Sequence, residues 1–202
     1  WQEYRGTGLL AGMAHAADLP RLLLIFVLKT FGTPTNLIRY LTTFLPLVLG
    51  PVGVYLLIHE ILYESKLGLK TIKTGAFLSG LYYILNLSTM QTFFIPFETF
   101  TWFYGALPFL IYFMIWYFRK PSVSHLFFVL FVSFFSGTAF YVETIFVVLF
   151  LCLLPFVFEF VSNSKNKLKS LTSSFWAGTS IIIPNLYWLI PIKIMILSIY
   201  DI

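Results

Sequence analysis

The spacing of charged residues constrains this chain more than any other feature. Six long stretches lack Asp, Glu, Lys and Arg altogether, namely residues 40–59, 74–97, 99–118, 121–142, 144–158 and 170–192. A helix of roughly 20 mostly apolar residues crosses about 30 Å of hydrocarbon. The sequence therefore predicts an all-α, polytopic membrane protein with about six transmembrane helices.

The composition excludes several functional classes. Of the 202 residues, 59% are hydrophobic and only 10% are charged, whereas about 25% are charged in a typical soluble domain. The single cysteine excludes an intrachain disulfide scaffold. The net charge of +5 is spread over short loops, which favours membrane lipids as surroundings and excludes a nucleic-acid partner.

Residues 1–40 form a separate external segment in this interpretation, and residues 41–202 form the transmembrane bundle. Between Arg21 and Lys29 lie only seven uncharged residues, too few to cross a bilayer. Asp18 and Pro20 resemble a helix start, so we expect a short helix over residues 19–31 lying flat at the membrane surface. The opening at Trp1 lacks the pattern of a signal peptide. We therefore expect a fragment whose preceding membrane helix belongs to the remainder of the same polypeptide.

Basic residues in the loops predict the orientation. Alternate connections hold eight lysines and arginines, at positions 66, 70, 73, 119, 120, 165, 167 and 169. The other side holds five, at positions 5, 21, 29, 39 and 193. Since cytoplasmic loops are enriched in Lys and Arg, we expect a multi-pass protein of the cytoplasmic membrane, with the basic loops inside and residues 1–40 outside.

Polar residues predicted to face the outer boundary are the candidate site. A carboxylate can deprotonate an acceptor hydroxyl, an arginine can hold phosphate in bidentate fashion, and an aromatic ring can cover an apolar sugar face. The candidate catalytic residues are Glu3 and Asp18. The candidate substrate-binding residues are Arg5, His15, Arg21, Asn86, Glu143 and Trp188.

Several of these residues have simpler explanations. Asp18 is equally well a helix cap, Glu143 an ordinary charge at the end of a span, and Trp188 a member of an interfacial aromatic belt. The histidines at positions 15, 59 and 125 are isolated from one another, so no protein metal site and no cofactor are predicted.

Three segments resemble a family of bacterial membrane enzymes. They are residues 1–21 (WQEYRGTGLLAGMAHAADLPR), 49–55 (LGPVGVY) and 185–191 (NLYWLIP). Together they are similar to the glycosyltransferase C superfamily, notably its arabinofuranosyltransferase-like members. The resemblance implies an external loop with surface-lying helices, a catalytic carboxylate and a polyprenyl-phosphate sugar donor. In such families that carboxylate usually follows the first span closely, in a region that precedes Trp1.

The predicted function is transfer of a sugar from a polyprenyl-phosphate-linked donor to an acceptor at the outer face of the cytoplasmic membrane. A transporter or flippase of lipid-linked saccharides is the alternative from another class, and a non-catalytic membrane component is the third. A charge pair in the middle of a span would favour transport, and none of the six uncharged stretches contains one.

Overall fold

The computed structural model describes residues 17–63, 65–94, 98–137, 143–191 and 193, and the regular structure in these residues is entirely helical. Its eight α-helices are α1 (Leu19–Thr30), α2 (Thr35–Tyr63), α3 (Leu69–Leu85), α4 (Leu87–Phe94), α5 (Glu98–Arg119), α6 (Val123–Ser136), α7 (Glu143–Asn163) and α8 (Lys167–Ile182). A 3₁₀ turn, Ile183–Asn185, follows α8. The predicted all-α class is thus confirmed for the described residues.

Three helices of the described chain are long and apolar enough to cross a membrane. They lie at Thr35–Tyr63, Phe100–Arg119 and Ile145–Asn163. The apolar helix α6 is shorter, with 14 residues, and α3 and α8 have 17 and 16. The sequence predicted about six transmembrane helices. Among the described residues, three helices are long and apolar enough to cross a membrane.

Helix boundaries differ from the predicted ones where polar residues continue a helix. The polar run of residues 162–170 indicates a loop by sequence, but α7 extends to Asn163 and α8 begins at Lys167. Asn166 caps α8 by accepting a hydrogen bond from the backbone N–H of Lys169 at 3.1 Å. The loop therefore shrinks to three residues, because the cap starts the next helix early.

The six longer helices alternate in direction. Phe118 of α5 stacks on Phe160 of α7 near the ends of both helices, with ring centroids 4.8 Å apart. At the start of α6, His125 stacks on Trp116 near the end of α5. All eight lysines and arginines counted above lie where α2, α5 and α7 end and α3, α6 and α8 begin. We call this the basic end, and the other one the opposite end.

Glycines let α2 and α5 approach closely. A Cβ atom built on Gly105 would lie 2.9 Å from the Cα of Pro46, and one on Gly53 would lie 2.9 Å from the Phe109 ring. Small residues permit such backbone contact in membrane helices, where packing replaces the hydrophobic driving force. Both prolines of α2, Pro46 and Pro51, lie inside one continuous helix of 29 residues.

Helix α1 matches the predicted short helix at residues 19–31 to within one residue. One of its faces is apolar and exposed, formed by Leu19, Leu22, Leu23, Phe26 and Val27. The positions follow helical spacing and so form one continuous stripe. An apolar stripe of this kind suits a helix lying in the membrane interface.

A first prediction concerns the α2–α5 contact. Gly105→Ala forces the two backbones apart, so we expect it to lower the free energy of unfolding by about 1–3 kcal/mol, as overpacking does. Gly178→Ala is the matched control, because nothing lies within 4 Å of a Cβ at that position of α8. Thermal unfolding of the purified protein in detergent should show a lower melting temperature for the first variant alone. Equal melting temperatures would contradict the packing role of Gly105.

A second prediction concerns orientation. Ser88 in α4 and Lys167 in α8 are both exposed and lie at different ends of the bundle. Single cysteines at these positions, in a Cys152→Ser background, should react differently with a membrane-impermeant maleimide added to intact cells. We expect labelling at position 88 without treatment and at position 167 only after permeabilisation. The reverse pattern would invert the assigned orientation.

Candidate functional site

A buried polar cluster closes the opposite end of the bundle between α6 and the turn after α8. We call Ser133, Asn185 and Trp188 the Asn185 cluster. The side-chain amide of Asn185 donates to the Ser133 hydroxyl at 3.1 Å, and its oxygen accepts from the Trp188 indole at 2.9 Å. All three residues are at most 1% exposed, so each hydrogen bond is made away from water and lipid.

Proline explains why this cluster forms here. Pro184 has no backbone N–H and lies in a 3₁₀ turn, where N–H groups bond carbonyls three residues back, so the Ile181 carbonyl receives no donor from it. The Ile181 carbonyl receives side-chain donors instead, from Ser133 at 3.1 Å and from Asn185 at 2.7 Å. In membrane helices, neighbouring polar side chains satisfy the backbone in this way. The cluster therefore joins α6 to the end of α8.

Glycine at the end of α6 makes room for the cluster. A Cβ atom on Gly137 would collide with the side-chain oxygen of Asn185. Any larger residue would displace the amide from the Trp188 indole. The last turn of α6 is thereby fixed against the segment after α8.

The start of α1 is held against the same segment by a hydrogen bond from Tyr187, next to a partly buried ion pair within α1. The carboxylate of Asp18 is 2.6 Å from a terminal guanidinium nitrogen of Arg21. Tyr187 donates a hydrogen bond to the Ala17 carbonyl at 2.8 Å. Residues 170 positions apart in sequence thus meet at one place.

The helix-cap interpretation of Asp18 is wrong in one respect. Asp18 occupies the position before α1, but its side chain makes no capping hydrogen bond there. Its carboxylate, which is on a residue only 4% exposed, pairs with Arg21 one turn ahead. The structure therefore brings two predicted site residues, Asp18 and Arg21, into direct contact.

A second polar cluster lies where α3 meets α4. Asn86 donates to the Tyr83 carbonyl at 2.7 Å and accepts from the backbone N–H of Thr89 at 2.9 Å. The last carbonyls of a helix lack partners within it, and the first N–H groups of the next helix lack them too. The Asn86 side chain supplies a donor to one such carbonyl of α3 and an acceptor to one such N–H group of α4, so it joins the two helices.

Tyr83 and Tyr104 connect this joint to α5. Their rings stack with centroids 4.4 Å apart, and the Tyr83 hydroxyl donates to the Tyr104 carbonyl at 3.0 Å. That carbonyl lies four residues before Pro108, which has no N–H to donate to it. Pro108 thus leaves the Tyr104 carbonyl without its usual backbone donor, and the Tyr83 side chain of another helix donates to it instead.

The structure places the remaining predicted site residues as follows. Glu3, Arg5, His15 and the side chain of Glu143 lie outside the described residues. Trp188 is packed in the interior at 1% exposure. If the candidate residues form one pocket, Glu3, Arg5, His15, Asn86 and Glu143 should converge near the outer boundary, and this stays a prediction.

Sequence reasoning missed Ser133, Tyr83 and Tyr104 as members of these clusters. The signal was present for Ser133, because it and Ser136 are the polar residues, three positions apart, in the part of α6 that follows His125. Uncharged polar groups within a membrane segment also need partners. The tyrosines gave no such signal, since aromatic residues near span ends are expected in any case.

The basic end holds a different arrangement. A terminal nitrogen of Arg119 donates to the Glu60 carboxylate at 2.6 Å and to the Glu60 carbonyl at 3.1 Å. Both side chains are about a quarter exposed, so this pair ties the ends of α2 and α5 at a wet boundary. Within the described ranges, no three His, Cys, Asp or Glu residues are grouped as a metal site would need.

Comparison with protein-family models, with curated proteins and with solved structures finds no match to this chain. The resemblance to the glycosyltransferase C superfamily therefore remains an expectation from the three quoted segments. Any functional assignment rests on the chemistry of the sites described above.

A third prediction tests the Asn185 cluster. Asn185→Leu leaves the Trp188 indole without its acceptor, and a buried polar group left unpaired costs about 1–3 kcal/mol. We expect a lower melting temperature in detergent for this variant. Asn36→Leu, at an exposed position in the first turn of α2, should change the free energy of unfolding by less than about 0.5 kcal/mol. Equal stability of the two variants would show that the cluster does not hold the bundle end.

Proposed function

We propose that this chain is part of a membrane glycosyltransferase, which transfers a sugar from a polyprenyl-phosphate-linked donor to an acceptor at the outer face of the cytoplasmic membrane. The membrane-length helices of the described chain support the location in a bilayer. The positive-inside rule supports a cytoplasmic basic end. The opposite end then faces the compartment in which such a donor and acceptor would meet.

The observation behind this proposal is the Asp18–Arg21 pair at the start of α1. Arg21 is fixed by the carboxylate at 2.6 Å, and its side chain keeps 18% exposure. A guanidinium presents planar donors that match phosphate oxygens. An arginine held in one orientation beside an apolar helix face can receive a lipid phosphate without losing much side-chain entropy.

We assign different roles to the two predicted catalytic carboxylates. Asp18 is engaged with Arg21, so we assign it the role of a positioning residue for the phosphate-binding arginine. Glu3 is then the candidate general base on this chain. In the transfer, the acceptor oxygen forms a bond to the anomeric carbon while the bond from that carbon to the phosphate oxygen breaks. The acceptor proton passes to the base, and polyprenyl phosphate leaves.

A fourth prediction tests this assignment with the full-length protein in proteoliposomes. The substrates are radiolabelled polyprenyl-phosphate arabinofuranose and an arabinan oligosaccharide. Hydrogen bonds to charged groups contribute about 1.5–3 kcal/mol, so we expect the double variant Asp18→Asn/Arg21→Gln to lower kcat/KM at least about tenfold. The double variant avoids leaving one buried charge unpaired. Lys29→Gln, an exposed cation at the end of the same helix, should leave kcat/KM unchanged.

Two outcomes would contradict the proposal. Equal activity of the double variant and Lys29→Gln would remove Arg21 from donor binding. Movement of intact donor across the bilayer without any transfer by the wild-type protein would instead support the flippase alternative. A melting temperature for the double variant close to that of the wild type shows that lost activity is not lost folding.

A further inference from the structure

A cleft of about 500 Å³ opens at the basic end among α2, α5 and α7. This volume lies within the range of about 300–1,000 Å³ that is typical of ligand sites. Isoleucine and phenylalanine side chains form the apolar part of the lining. The polar part consists of Arg119, Glu159, Asn163 and Ser164. A lining of this mixed kind fits an amphiphile, whose apolar and charged parts both find partners there.

The two charged residues of the lining differ in their partners. Arg119 is 2.6 Å from the Glu60 carboxylate, and that pair is neutral as a whole. Glu159 is exposed, and no ion pair or hydrogen bond joins its carboxylate to another residue in the described ranges. Glu159 therefore adds a negative charge to the cleft, and its oxygens can accept hydrogen bonds from a positively charged ligand group.

Both charges lie at the depth of lipid headgroups. Arg119 is the last residue of α5, and Glu159 precedes the last residue of α7 by four residues, or about 6 Å along the helix axis. The neighbouring rings of Phe118 and Phe160 stack, which places the two charged residues at one level. The polar layer on each side of a bilayer is about 5–7 Å thick. A headgroup lying in that layer therefore reaches the cleft from the side.

We propose that this cleft binds phosphatidylethanolamine from the adjoining leaflet, with the ammonium group of the lipid donating to the Glu159 carboxylate. The lipid phosphate lies toward the positive charge of Arg119, and the upper acyl carbons lie against Ile115 and Phe156. Only two carbon atoms separate the ammonium group from the phosphate, so the headgroup brings one charge of each sign to a lining that carries one of each. Phosphatidylglycerol has no positive group for Glu159. The site does not depend on the transfer reaction proposed above.

The test is native mass spectrometry of the full-length protein in detergent, with equimolar phosphatidylethanolamine and phosphatidylglycerol that have identical acyl chains. We expect the wild type to retain phosphatidylethanolamine preferentially. Glu159→Gln keeps the size of the side chain and removes its charge, so binding of phosphatidylethanolamine should weaken about five- to tenfold, as expected for a charge-assisted bond at a partly wet site. Binding of phosphatidylglycerol should not weaken. Glu159→Asp retains the charge and should retain the preference.

Two further variants test the location. Ile115→Trp places a larger side chain in the cleft and should abolish the preference for phosphatidylethanolamine. Val148→Trp is the matched control, because it enlarges a side chain in a separate cavity of about 270 Å³ between α5 and α7, whose lining has no charged residue. It should leave the preference unchanged. Glu159→Gln alters an exposed side chain, so that comparison stays valid even if a tryptophan variant fails to fold.

Four results would overturn the proposal. Equal retention of the two lipids by the wild type, or an equal loss of both with Glu159→Gln, would show that the carboxylate does not recognise the ammonium group. Loss of the preference with Val148→Trp but not with Ile115→Trp would place the lipid elsewhere. Displacement of phosphatidylethanolamine by substoichiometric polyprenyl phosphate would assign the cleft to an anionic lipid. Retention of no lipid by the full-length protein would show that another part of the chain fills the cleft.

Discussion

The close approach of α2 and α5 is the contact on which the rest of the bundle depends. Gly53 and Gly105 remove the side chains that would hold the two backbones apart, and lipid supplies no hydrophobic force to replace that contact. Gly80 brings α3 equally close to the Pro51 carbonyl. Three helices are thus fixed by backbone proximity, and α6 and α8 pack around them.

Proline determines where the polar side chains gather. Pro108 and Pro184 each lack the N–H that would bond a carbonyl in the preceding turn, and side chains from other helices supply the missing donors. Tyr83 bonds the Tyr104 carbonyl, and Ser133 bonds that of Ile181. Each such bond runs from a side chain of one helix to a backbone carbonyl of another, so it holds the two helices together.

The opposite end combines these links with the first helix. Tyr187 bonds the Ala17 carbonyl, and the Asp18–Arg21 pair lies directly beside it. The apolar stripe of α1 continues outward from this point. A charged pair and an amphipathic helix therefore lie together at the opposite end of the bundle.

The sequence by itself determined the all-helical class, the position of α1 and the grouping of basic loops. These follow from local rules, since the spacing of charged residues determines which segments are apolar enough to enter a bilayer. The run of seven uncharged residues between Arg21 and Lys29 is too short for α1 to cross one. Helix lengths were less predictable, because a cap such as Asn166 can start a helix within a polar run. Only the tertiary structure decided that Asn185 meets Ser133 and that Tyr187 meets Ala17. These partners are distant in sequence, and a buried polar group finds such a partner through packing that no local pattern encodes.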